Sequence, residues 1–152
     1  MKLSSHLEKF DRFDALRKRF DPEQEFELWY WMGLSAGTAI INAALHCCAL
    51  TKENDLFATQ VPDVYVVVDA DGRWHRQLGT ESDLIHVGLP PVKGPVPQEI
   101  ASAFEAMEII ERYRDPCIRG DHPITHSVIT ECDEAYRRCV AHAQKLIRHW
   151  RV

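Results

Sequence analysis

Glycine and proline are scarce, seven and eight in 152 residues, which excludes a collagen-like or low-complexity chain. Cysteine lacks the pattern of a disulfide framework: the five residues at 47, 48, 117, 132 and 139 make an odd count with an adjacent pair and no regular spacing. They read as free thiols in a reducing cytoplasm. An excess of positive charge is missing too. Eighteen Lys and Arg oppose 23 Asp and Glu, a net −5, and both halves of the chain are mildly acidic. No global field therefore draws it to nucleic acid or membrane, and any such site has to be local. The opening residues MKLSSHLEKFDRFD are charged from the start and hold no apolar run before a small-residue cleavage site. No secretory leader is expected, and the expected location is cytoplasmic.

Charge is absent altogether from Leu28 to Leu50, LWYWMGLSAGTAIINAALHCCAL, a stretch long enough to cross a bilayer. Asn42 and His46 lie deep within it, Ala and Gly are frequent, and no Lys or Arg flanks its start. A buried helix fits these features better than a span, so no membrane partner is expected.

What is present suffices for one domain over residues 1–152, since a chain of this length buries roughly 68–70% of its unfolded surface. Leu7, Phe10, Phe13, Leu16 and Phe20 recur at helical spacing and predict a first helix over about 5–20, with Ser5 and Glu8 as a capping box. Asp21 and Pro22 then read as cap and first position of a second helix reaching about Leu50. That leaves a very short turn and an antiparallel pair. Gly33, Ala36, Gly37, Ala43 and Ala44 give the second helix a small-residue face, for packing within the chain or across a dimer.

Residues 51–96 differ, with four Pro and four Gly. Val64–Val68 and Arg73–Leu78 flank Asp69-Ala70-Asp71-Gly72 and predict a β-hairpin, followed by a loop or flap through LPPVKGPVP. A third helix is expected from Pro97 to Tyr113, with Ile100, Phe104, Met107 and Ile110 inward. A fourth is expected from Pro123 or Ser127 to Trp150, seamed by Val128, Cys132, Ala135, Tyr136, Cys139, Ala143, Leu146 and Trp150. The fold class is all-α: a four-helix up-down bundle with a small β-hairpin and Pro/Gly-rich insertion between helices 2 and 3.

Chemical motifs are largely lacking. There is no G-x-S-x-G, no Gly-rich phosphate loop and no Glu-x-x-His. Cys139 and His142 give a single CxxH, and His122 and His126 flank Pro123 without an evident third ligand. No metal and no cofactor are therefore expected. One local constellation remains. Up-down topology brings the ends of helices 1 and 3 to the start of helix 4, gathering Arg17, Lys18, Arg19, Arg112, Arg114, Arg119, His122 and His126. Guanidinium suits phosphate oxygens, and imidazole moves a proton near neutral pH. Arg17, Arg19, Arg112 and Arg114 are the candidate binding residues. The blander reading is that these cations answer helix dipoles and nearby Asp21, Glu23 and Glu25.

Four helices with an Arg and a following His near the last one resemble the HEPN family of compact, usually homodimeric bundles, many of them metal-independent RNases. The family motif is Arg, four to six residues, then His. Arg119 to His126, R-GDHPIT-H, fits it, as does Arg137 to His142, R-RCVA-H. Positions five apart on a helix diverge by about 140°, which favours the first pair. The resemblance covers residues 5–50 and 97–150. It implies an RNase with His126 as general acid or base, Arg119 on the phosphate and Asp121 or His122 orienting them, with RNA and a second copy of the chain as partners. Active members commonly carry a small polar residue after the Arg, where this chain has Gly120. The alternatives are a degenerate nucleic-acid-binding relative, or a non-catalytic homodimeric partner module using helix 2, the bundle end or the Pro-rich flap.

Overall fold

Leu3, His6, Phe10 and Arg17 are the buried positions of the first helix, α1 (Leu3–Arg17). Their spacing of three, four and seven marks a helix face packed inward; it shares Phe10 with the expected stripe, whose Leu7, Phe13 and Phe20 pack partly buried beside it, and it carries two polar side chains. The computed structural model describes residues 1–53, 57–58, 64–78 and 95–150. Three further α-helices follow: α2 (Phe26–Cys47), α3 (Gln98–Glu111) and α4 (His126–Trp150). Between α2 and α3 lies a three-stranded antiparallel sheet, β1 (Phe57–Ala58), β2 (Val64–Val68) and β3 (Trp74–Leu78).

Contacts along the helices set their directions. His6 meets His46 while Arg17 meets Trp29, so α1 and α2 run antiparallel. Tyr30 donates its hydroxyl hydrogen to the Ile110 carbonyl at 2.9 Å, and Gly37 lies against Met107, so α3 reverses α2. Lys145 donates to Glu99 at 2.7 Å while Tyr113 donates to Glu131, so α4 reverses α3. The result is the up-down-up-down four-helix bundle that the patterning predicts.

The buried helix is α2, whose inward residues run almost without a break from Trp29 to His46. Its small-residue face is occupied within the chain. A Cβ on Gly37 would fall 2.3 Å from Met107 Sδ, and one on Gly33 would fall 2.9 Å from Arg17 Nε. Close approach of α1 and α3, rather than a second copy, is what those glycines serve. Among the described residues no helix is long and apolar enough to cross a membrane.

Several element ends differ from expectation for local reasons. Ser5 lies inside α1, whose first turn is met by Glu53: its Oε1 accepts from Leu3 N–H at 2.7 Å, placing negative charge at the helix start. Asp21 and Pro22 do not open α2. Asp21 Oδ1 accepts from Glu23 N–H at 2.8 Å, and the Asp21 carbonyl accepts from Glu25 N–H at 2.7 Å. These bonds close a separate turn, so α2 begins at Phe26 and the connection is longer than the tight link predicted. At the far end Ala49 turns left-handed with φ 55°, and Leu50 N–H reaches back to the Leu45 carbonyl at 3.0 Å. That six-to-one bond stops α2 at Cys47 instead of Leu50.

The hairpin forms where the Asp-Gly turn predicts it, pairing Val68 with Trp74. Asp69 Oδ1 accepts from the N–H groups of Asp71 and Arg73 at 2.9 and 2.8 Å, and Gly72 takes φ 76°. The Pro-rich flap expected next falls mainly in residues 79–94, outside the described residues. The seams of α3 and α4 match expectation from Ile100 to Ile110 and from Val128 to Ala143. Thr125 caps α4, its Oγ1 accepting from Val128 N–H at 3.3 Å.

Candidate nucleic-acid interface

The predicted basic end does assemble, because α1 and α3 finish where α2 and α4 begin. Most of its cations are matched by carboxylates. Arg112 pairs with Glu131 at 3.5 Å, Arg114 with Glu111 at 3.0 Å and Arg119 with Asp115 at 3.0 Å. His126 Nδ1 lies 3.7 Å from Glu23 Oε1. Arg19 is exposed and forms no ion pair among the described residues. Asp121 and His122 are exposed in the segment leading to α4.

Arg119 and His126, the expected catalytic pair, stand on different local structures. Arg119 closes a π-helical turn, Arg114–Arg119, while His126 opens α4. Their side chains are 63% and 84% exposed, and no hydrogen bond among the described residues joins them. A solvated ion pair screens both the charge and the field a transition state needs. Gly120 has its own reason to lack a side chain: a Cβ there would lie 2.9 Å from the Pro116 carbonyl oxygen. The position thus answers to backbone crowding.

Arg17 is enclosed rather than offered to a phosphate. Its side chain is 8% exposed, with the guanidinium carbon 4.0 Å from the Trp29 ring centre and 4.3 Å from that of Tyr136. Nη2 donates to Asp133 Oδ1 at 2.9 Å, and Tyr136 donates to Asp14 Oδ1 at 2.8 Å. A planar cation sandwiched by two rings and held by a carboxylate ties α1 to α2 and α4.

A different basic surface emerges on α4. After Glu134 the chain holds Arg137, Arg138, Lys145, Arg148 and Arg151 and no Asp or Glu. The residues before Ala135 therefore carry thirteen basic against 23 acidic side chains, a net −10. From Ala135 to His149 the exposed residues are Arg137, Arg138, Ala141, Lys145, Arg148 and His149, all basic save one. The opposite side of this stretch carries Cys139, Ala143 and Ile147 into the core. Arg138 and Arg148 form no ion pair among the described residues, whereas Arg137 pairs with Asp133 and Lys145 with Glu99. Lys145, with its hydrogen bond to Glu99, holds that carboxyl below the usual carboxylate range. Sequence reading missed this face, although its signal was a plain one: the last acidic residue precedes a run of basic ones at helical spacing.

Thiols offer no competing chemistry at the core of α4. Burial, with the Glu131 carboxylate nearby, pushes the Cys132 thiol up to about 12, and burial also raises Cys117 and Cys139. Burial and the Glu99 carboxylate raise the Cys48 thiol as well, so access decides: alkylation of the native protein near pH 8 should label the partly exposed Cys47 and Cys48 first. Cys117, Cys132 and Cys139 should react only in urea, as peptide mass spectrometry would read. Native labelling of Cys139 at the unfolded rate would contradict this packing. Among the described residues no cluster of three or more His, Cys, Asp or Glu is placed to hold a metal ion.

No family model matches the chain, and no match is found among curated proteins or solved structures. The class that the fold defines is an all-α four-helix bundle.

Proposed function

We propose that this chain is an RNA-binding helical bundle, HEPN-like in architecture, that grips the phosphate backbone with the outer face of α4. The observation that carries the reading is the exclusively basic exposed surface from Arg137 to His149, broken only by Ala141. Cations in the last turn of a helix answer its dipole, which accounts for Arg148 and His149. It does not account for Arg137 and Arg138, which sit mid-helix. Arg137 to Arg148 spans about 16 Å of helix axis, room for several phosphate contacts. The acidic remainder of the chain repels a polyanion from other faces and so orients the encounter.

Cleavage is not part of the proposal, since Arg119 and His126 are both solvated and each faces a carboxylate. Binding of labelled RNA should be measured in EDTA across a salt series. Three phosphate contacts predict a log–log slope of about −2, with the RNA recovered intact. Absent or salt-independent binding would overturn the reading. Cleavage lost in Arg119→Ala and His126→Ala variants would restore the catalytic one.

A further inference from the structure

Beside the basic face, the bundle is not closed. Arg17 with Asp133 and Asp14 with Tyr136 bridge α1 to α4 at one end. Towards the other end a groove of about 290 Å³ separates the two helices. Ile40 of α2 lines it with Leu7, Phe10 and Ile147, and Asp11, Gln144 and Arg148 supply its polar lining. Asp11 and Arg148 are exposed and take part in no ion pair among the described residues. Arg148 belongs to both the groove and the basic face.

We infer that this groove receives one unstacked guanine base of an RNA strand held on α4, an inference that rests on the RNA-binding reading. The volume sits at the small end of ligand pockets, which begin near ~300 Å³. It suits a single flat heterocycle. Leu7, with the edges of the buried Phe10, Ile40 and Ile147, forms an apolar floor for one ring face, and a base out of its stack needs such apolar cover. A carboxylate such as that of Asp11 offers hydrogen-bond acceptors. Guanine alone among the four bases presents two adjacent donors, the ring N1–H and the exocyclic amine, on its Watson–Crick edge. Gln144 can donate or accept at the same edge. Arg148, shared with the basic face, holds the phosphate of the inserted nucleotide. Duplex RNA hides that edge in pairing, so the site selects single strands.

The test compares a short uridine oligomer with the same oligomer carrying one central guanosine, by anisotropy at fixed salt. The guanosine oligomer should bind about tenfold more tightly, the scale of one good bidentate base contact. Asp11→Asn should bring the ratio of the two affinities close to one. Arg138→Ala should weaken both oligomers alike and keep the ratio. Both variants are at exposed positions, and circular dichroism checks their folding. Equal binding of the two oligomers with salt dependence intact would overturn the groove assignment and leave the α4 reading standing. So would equal binding of a duplex, or a ratio unchanged by Asp11→Asn. Failure of both oligomers to bind would remove the RNA-binding reading itself.

Discussion

Arg17→Ala is expected to lower the unfolding free energy by about 3 kcal/mol, one of the largest losses available to a single substitution in this chain. Three effects add. The guanidinium leaves a void between the Trp29 and Tyr136 rings, each of which forfeits a largely desolvated cation–π contact. Asp133, with its side chain 22% exposed, keeps only the exposed Arg137 as partner. The third effect is the loss of one of the two ties between α1 and α4, which leaves the Tyr136–Asp14 hydrogen bond to hold that end alone. Arg17→Lys retains the charge but neither the planar stack nor the fork, and should recover less than half of the loss. Urea unfolding would read both as a lower midpoint at constant slope. A loss under 1 kcal/mol for Arg17→Ala would show that the sandwich contributes little. RNA affinity of the folded variant should stay unchanged, because the side chain does not reach solvent, whereas a phosphate-binding role for Arg17 requires a drop.

Arg17 also shows where sequence reasoning stops. Ile100, Phe104, Met107 and Ile110, and the α4 seam from Val128 to Ala143, were legible because each inward position is apolar and the helical period alone places it. On the first helix Phe10 is buried and Leu7, Phe13 and Phe20 pack against the core as the stripe predicts, but His6 and Arg17 occupy inward positions that an apolar count skips. Arg17 can stand there only because Trp29, Tyr136 and Asp133 arrive from two other helices, and that convergence is tertiary. Asp21 and Pro22 misled for a related reason: the Asp21 carboxylate satisfies backbone donors in its own turn rather than at the start of α2. The bundle end was predicted correctly as a meeting place of cations. Its carboxylates were visible too, yet only the fold pairs Arg112 with Glu131 or Arg119 with Asp115.

Reversing three charges on α4, with Arg138→Glu, Lys145→Glu and Arg148→Glu together, should reduce RNA affinity by about 100-fold at 0.1 M salt. Each phosphate contact to a single strand releases about 0.7 of a counterion, worth about fivefold at that concentration, and three contacts multiply. Repulsion from the new carboxylates adds to the loss. The affinity that remains should depend little on salt, since few counterions are left to release. Net charge alone also weakens binding to a polyanion, so the comparison needs a variant of equal charge: Arg12→Glu, Arg19→Glu and Arg119→Glu, all exposed and none on α4. That control should lose less than tenfold, through the long-range field only. The two triple variants therefore decide between surfaces. A larger loss in the control would move the phosphate contacts to the bundle end, where Arg119 and Arg19 stand, and would leave the basic face of α4 without a role in binding.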